Sequence, residues 1–308
     1  MVIVLAIVVC AAVAAHMVPF PFLMEAFRPS RSLWRVKPVK GEPPTLYFTF
    51  DDGPNATWTP PLLDALRETG VTATFFLIDE HIDSETEPIV RRIAAEGHAI
   101  GLHSGTRRLM VMSADALAER LERAAARIEG ITGREPCRLF RPHAGWRSAQ
   151  MYSGLRRARY RLAGWSFGMW DWDWWRTPNA DQLVAKLARK ASAGDIVVIH
   201  DGHHANPQAD RRHAGETIRK VAPVLRAKGF RFATLCGVSS LSEPDPDQWA
   251  CEAGTPNRRA VSPSKSNSII TAGSSPVTHP SCPASIVTAC GAVKVFRHPS
   301  ANSTSIVP

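Results

Sequence analysis

At 308 residues, 44% hydrophobic and 21% charged, the chain has ordinary globular composition, which excludes a fibrous or wholly disordered protein and allows one large domain with tails. Its formal charge of +9 suits acidic partners such as anionic glycans or lipid head groups. The charge is scattered and no nucleic-acid module occurs, so no nucleic acid is expected as a partner. The six cysteines show no CxxC and no Cys/His zinc spacing, and no disulfide framework is expected.

Residues 1–24 carry no Asp, Glu, Lys or Arg, and Val2 to Val18 is a mostly apolar run that Pro19 and Pro21 interrupt. The segment reads as a membrane anchor with a transmembrane helix or as a secretory signal. Either places the protein in the cell envelope, membrane-anchored or secreted. A basic linker follows over 25–43, with Arg28, Arg31, Arg35, Lys37 and Lys40. By the positive-inside rule these charges would hold the next domain in the cytoplasm, so the side of the membrane stays open.

From 44 to 238 the chain alternates short apolar runs with amphipathic ones. Strands are expected at Thr45–Phe50, Thr72–Leu77, Ala99–Leu102, Arg138–Phe140, Arg161–Trp165, Asp195–Ile199 and Phe230–Leu235. Helices are expected at Thr59–Thr69, Pro88–Glu96, Ala114–Ile131, Ala149–Arg157, Asp181–Ala191 and Gly215–Lys228. Ser113 is placed to cap the third of these, and Gly70, Gly97, Gly194 and Gly229 mark helix ends. The rhythm predicts an α/β fold with a parallel sheet, closed as a distorted (β/α)7-type barrel. In such folds reactive groups gather at the C-terminal ends of the strands. The tail over 239–308 is dominated by Ser, Thr, Pro and Asn and reads as low-complexity and disordered.

Several strand ends carry chemistry. The first runs into Asp51-Asp52-Gly53-Pro54, where the turn at Gly-Pro can bring two carboxylates to one mouth. One can then hold a metal while the other acts as a general base. His103 falls at the end of the third strand, and Arg141, set to pair with a carboxylate, at the end of the fourth. Four of the nine tryptophans fall in Trp170-Asp171-Trp172-Asp173-Trp174-Trp175, and the interleaved acids argue against a fully buried cluster. A strongly apolar strand then delivers Ile199-His200-Asp201, where His200 can protonate a leaving amine and a nearby carboxylate, Asp173, can raise its pKa.

Taken alone, each stretch also has a plain structural explanation; their order is what carries weight. The segments TFDDGP (Thr49–Pro54), HS (His103–Ser104), RPxxGW (Arg141–Trp146), WDWDW (Trp170–Trp174) and IHD (Ile199–Asp201) resemble the five ordered motifs of the polysaccharide deacetylase family, over residues 44–238. The resemblance implies a hydrolase that removes N-acetyl groups from chitin-like or peptidoglycan-type sugars with a divalent metal, zinc by preference. It makes Asp51 the general base, Asp52 and His103 metal ligands, and Arg141 the partner that orients Asp51. It further makes Asp173 the residue that tunes His200, the general acid, with Trp146, Trp174 and Ile199 lining the substrate site. The family pattern is His-[Ser/Thr]-x-x-His, and here the second His position is Arg107. A guanidinium stays protonated and does not bind a divalent cation. His143, His203 or His204 are alternative nitrogen donors, and Arg107 could itself hold the oxyanion or a substrate carboxylate. Two rival readings remain: a silent or weakened carbohydrate-binding homologue, and an amidase acting on a non-sugar amide.

Overall fold

A computed structural model describes residues 1–14, 32–169, 171 and 179–238. The chain divides into two units, and everything described lies in the first, Met1–Gly254. The low-complexity tail therefore falls outside the described residues.

The apolar leader forms helix α1 (Val2–Ala14), 13 residues long. At about 1.5 Å per residue that is roughly 20 Å, short of a hydrocarbon core of about 30 Å. Among the described residues no helix is long and apolar enough to cross a membrane.

Among the described residues nine strands follow: β1 (Ser32–Leu33), β2 (Thr45–Asp51), β3 (Thr74–Ile78), β4 (Ala99–His103), β5 (Leu139–Arg141), β6 (Arg161–Ala163), β7 (Phe167–Gly168), β8 (Ile196–His200) and β9 (Arg231–Phe232). Their order is β1-β6-β5-β4-β3-β2-β8-β7, every ladder is parallel, and β9 pairs with the first residues of β2. The seven expected strands are all present, each within a few residues of its expected limits. The stretch read as a basic linker contributes β1, with Leu33 and Val36 buried. Two-residue strands such as β1 and β7 are too short to show an alternating pattern.

Connectivity forces the sheet to curl. Only Gly164, Trp165 and Ser166 separate β6 from β7, yet six strand spacings lie between them in the sheet. In a flat sheet six spacings of about 4.8 Å would put them roughly 29 Å apart. Four residue steps reach at most about 14 Å. The sheet therefore closes most of the way to a barrel, and the chain near β1 straps the gap. Gly164 donates to the Leu33 carbonyl (2.8 Å), Val36 donates to Gly194 (2.9 Å), and Ser166 donates to Ile196 (3.1 Å). Arg35 pairs with the buried Asp195 across the same seam.

Alternation sorts the side chains. On β2, Leu46, Phe48 and Phe50 face outward into a core shared with the helices, together with Val197 and Ile199 of β8. Tyr47, Phe76, Leu139, Ile196 and Leu235 form a second apolar cluster on the inner face. The outer layer comprises α2 (Thr59–Thr69), α3 (Glu87–Ala95), α4 (Ala114–Thr132), α5 (Ala149–Arg157), α6 (Ala180–Lys190) and α7 (Arg212–Ala227). Sequence sets their limits: the Ser113 hydroxyl accepts from Ala116 N–H (3.3 Å) to open α4, and Gly70 closes α2 with φ 60°. On α7 a stripe of Ala214, Ile218, Val221, Ala222 and Leu225 is buried, the i, i+3, i+4 spacing of a helix lying on a sheet.

One sequence expectation is overturned here. Cys137, just before β5, is disulfide-bonded to Cys236, after β9, with Cα atoms 5.7 Å apart and a sequence separation of 99. Neither cysteine belongs to a short-range motif, so their pairing becomes visible only once the barrel brings both chain segments to the N-terminal end of the sheet.

Candidate active site

Register builds the site. In the β2–β8 ladder Asp51 lies beside His200, and in the β4–β5 ladder His103 lies beside Arg141. Four candidate groups thus sit at the C-terminal ends of their strands, around one mouth.

Arg141 is the keystone. Its guanidinium is wholly buried, 4.0 Å from the Phe76 ring centroid on the inner face. Nη1 donates to Asp51 Oδ1 (2.6 Å) and Thr49 Oγ1 (2.8 Å), Nη2 to the Gly164 carbonyl (2.8 Å), and Nε to the Ala163 carbonyl (3.3 Å). A buried cation needs this degree of satisfaction. One consequence is that Asp51 is held by one oxygen in a fixed orientation. Another is that β2, β5 and the β6–β7 connection are tied together through one side chain.

Asp52 follows β2 in a left-handed conformation, φ 69°, which costs a non-glycine residue about 1 kcal/mol and swings its carboxylate toward β4. The neighbouring loops hold it there. The Asp51 carbonyl accepts from the backbone N–H groups of Asp201 and Gly202, both at 3.2 Å, and Ile78 N–H donates to Gly53 (2.9 Å). A Cβ at Gly202 would run into the Asp52 carbonyl, and one at Gly53 into the Asp201 carboxylate. The glycines of DDGP and HDG are thus required by two loops in backbone contact.

Asp52 Oδ1 lies 3.1 Å from His103 Nε2. His103 Nδ1 lies 2.7 Å from the Arg141 carbonyl, an acceptor only, so Nδ1 carries the proton and Nε2 is directed at Asp52. Burial works against a charge on either group, but His103 pushes Asp52 well below the usual carboxylate range, and the Asp51 and Asp52 carboxylates push His103 up. These are suitable donors for a divalent cation, an imidazole whose other nitrogen is fixed by a carbonyl and a carboxylate about 3 Å away. The set is one protein ligand short of a usual catalytic zinc site. Arg107 is exposed, its guanidinium 5.4 Å from the Trp146 ring centroid. His143 packs edge-on against His204, ring centroids 4.5 Å apart, and His204 stacks on His203. Burial and the neighbouring histidines push His143 down to about 4. Among the described residues no group of three or more His, Cys, Asp or Glu is arranged to hold a metal.

On the other side of the mouth, His200 Nδ1 lies 2.9 Å from Asp171 Oδ1. Burial opposes a charge on His200, yet the Asp171 carboxylate outweighs it and the pKa is pushed up to about 9. Asp171 is fully buried and, despite that burial, is pushed below the usual range by His200 and His213. The carboxylate on His200 is therefore Asp171, two residues before the expected Asp173. Asp173 and Trp174 lie outside the described residues. Ile199 is also displaced from its expected role: it is fully buried in the helix-facing core, because neighbours of His200 along β8 point the opposite way. Val198, two residues before His200, shares its face. Trp146 is half-buried at the mouth, and its buried Nε1 has no hydrogen-bond partner among the described residues.

Sequence reasoning missed Asp201 as well. It is fully buried, accepts from Thr59 Oγ1 (2.6 Å), and burial followed by the Asp51 and Asp52 charges pushes it up to about 7.

The family model "Polysaccharide deacetylase" matches residues 39–163, which hold Asp51, Asp52, His103, Arg141 and Trp146. A peptidoglycan-N-acetylglucosamine deacetylase of Bacillus cereus is 32% identical over 188 residues, 61% of this chain and 84% of that protein. A chitooligosaccharide deacetylase of Azorhizobium caulinodans is 31% identical over 199 residues, 62% of this chain and 92% of that protein. Among solved structures, a peptidoglycan N-acetylglucosamine deacetylase in complex with an N-oxidanyl-benzamide superposes with a TM-score of 0.59 at 25% identity, covering 70% of this chain and 95% of that one. A curled parallel sheet, a carboxylate pair at the end of β2, and this extent of likeness lead to one assignment: the chain belongs to the polysaccharide deacetylase family.

Proposed function

We propose that this protein is a hydrolase that removes N-acetyl groups from glycans of N-acetylated sugars, of the chitin or peptidoglycan type. The observation that carries the reading is the convergence of Asp51, Arg141, His103 and His200 on one mouth, each held in a defined orientation.

In the reaction, a water oxygen bonds to the acetyl carbon and the carbon–nitrogen bond breaks. Asp51, fixed by Arg141 through Oδ1, takes the water proton. Among the described residues no hydrogen bond reaches its other oxygen. His200, protonated below about pH 9, gives a proton to the departing sugar amine, and acetate leaves. With Nδ1 bonded to Asp171, the proton it gives is the one on Nε2. Asp52 and His103 would hold a divalent cation, which when bound supplies Lewis-acid polarisation of the acyl oxygen and lowers the pKa of water. Trp146 offers a flat face at the mouth on which a sugar ring can stack.

The short donor set keeps a second reading alive, a carbohydrate-binding homologue without turnover. Acetate release from N-acetylglucosamine oligomers, with and without added divalent cations, separates the two. Asp51→Asn and His200→Gln should each lower release by about 10²-fold or more, and Asp51→Asn should also melt at a lower temperature while still folding, because the buried Arg141 loses its countercharge. Release undiminished in Asp51→Asn would show that the role given to Asp51 is wrong.

We further place the protein in the cell envelope. Support comes from the Cys137–Cys236 disulfide, which persists in oxidising compartments, and from the apolar leader containing α1.

A further inference from the structure

Asp171 is anchored by more than His200. Its Oδ1 accepts from His200 Nδ1 (2.9 Å), and its Oδ2 accepts from the His200 backbone N–H (2.7 Å) and from His213 Nε2 (3.1 Å). His213 lies in the first turn of α7 with its side chain buried. The preceding Arg211 braces the same corner, Nη1 donating to the Asp171 carbonyl (3.0 Å) and Nε to the Gly202 carbonyl (2.7 Å).

We propose that His213 is a positioning residue for the deacetylation described above, holding Asp171 so that it orients His200. The inference rests on that reading of the site. An aspartate carboxylate turns about a soft, two-fold torsion. Both donors from His200 belong to β8 and move with the residue they are meant to orient. His213 comes from a different element and supplies a reference point independent of β8. The chain His213–Asp171–His200 thus fixes the plane of the carboxylate from α7 and, through it, the plane of the imidazole. His213 does not touch the reacting atoms; its effect passes entirely through Asp171.

Full-length wild type, His213→Phe and His213→Gln provide the test. Phenylalanine fills the space without a donor, whereas glutamine keeps an N–H close to the position of Nε2. Two readouts are taken: the kcat and KM of acetate release from N-acetylglucosamine oligomers, and the downfield proton NMR signal of His200 Nδ1–H. His213→Phe should lower kcat about 10-fold or more with KM unchanged, and should lose or shift the signal. His213→Gln should recover most of both. The proposal is overturned if His213→Phe keeps wild-type kcat and signal, if the glutamine variant is as impaired as the phenylalanine one, or if the wild type shows no such signal. Absence of any acetate release from the wild type sinks the proposed function instead, and the NMR comparison still decides whether His213 orders His200.

Discussion

At the scale of single residues, Asp201 shows how much of the site is governed by burial. Its Oδ2 accepts from Thr59, while its buried Oδ1 has no hydrogen-bond partner among the described residues. The folded protein therefore keeps this carboxyl protonated up to about pH 7, whereas an aspartate in the unfolded chain releases its proton near 3.8. Between those limits the folded state binds more protons than the unfolded state, so its stability falls as pH rises. Asp201→Asn mimics the neutral acid and removes this penalty. We expect the variant to be more stable than wild type at pH 8 by about 4 kcal/mol, with the gap closing toward pH 4. Chemical denaturation across that range checks it, and a gap that does not change with pH contradicts it. Single residues were unevenly legible in the sequence. Asp51, Asp52, His103, Arg141 and His200 stand out in the sequence because each lies at or next to a strand end with a distinctive neighbour. Asp171 was passed over for Asp173 because a WDWDW repeat gives two equivalent acids and no local rule to choose between them. Asp201 is visible as the last residue of the IHD motif but without a role, and Arg211 and His213 leave no signal, since their partners are far away in sequence.

At the scale of elements, the contact between the loops after β2 and β8 sets how far apart the two halves of the proposed catalytic site lie. Gly202 packs directly on the Asp52 carbonyl and the Gly53 nitrogen, both backbone atoms that cannot rotate aside. Gly202→Ala must push one loop away from the other. Overpacking of this kind costs about 1–3 kcal/mol, and a misplacement of about 1 Å in a catalytic group costs on the order of 10²-fold in rate. We expect acetate release to fall by roughly that factor while the melting temperature drops only a few degrees. A folded Gly202→Ala protein with undiminished release would mean that this loop contact does not set the catalytic geometry. Helices and strands were readable in advance because hydrophobic period and glycine stops are local properties. The exceptions follow the same logic: Ile199 was assigned to the mouth by motif position, whereas strand alternation, also readable from sequence, places Val198 there.

At the scale of the whole molecule, the barrel is closed at its N-terminal end by chain segments far from the motifs. Leu235 plugs the inner cluster and donates its N–H to Thr74 Oγ1 (2.9 Å), and the adjacent Cys236 fixes this segment to Cys137 at the entrance of β5. No sequence pattern announces that closure. It depends on strand order, which depends in turn on the three-residue step from β6 to β7. The disulfide closes a loop of 99 residues. For a loop of that length the chain-entropy model gives a ceiling of about 5 kcal/mol, and measured values are usually about 2–4 kcal/mol. A domain of this size loses about 2–4 °C per kcal/mol, so reduction should lower the melting temperature by roughly 5–15 °C. Because the bridge lies at the opposite end of the sheet from Asp51 and His200, acetate release at 25 °C should change little. The double variant Cys137→Ser/Cys236→Ser should melt at the temperature of the reduced wild type and should not respond to reductant. Equal melting temperatures for the oxidised wild type and the double variant would show that the inner cluster and the Arg35–Asp195 seam close the barrel without the bridge.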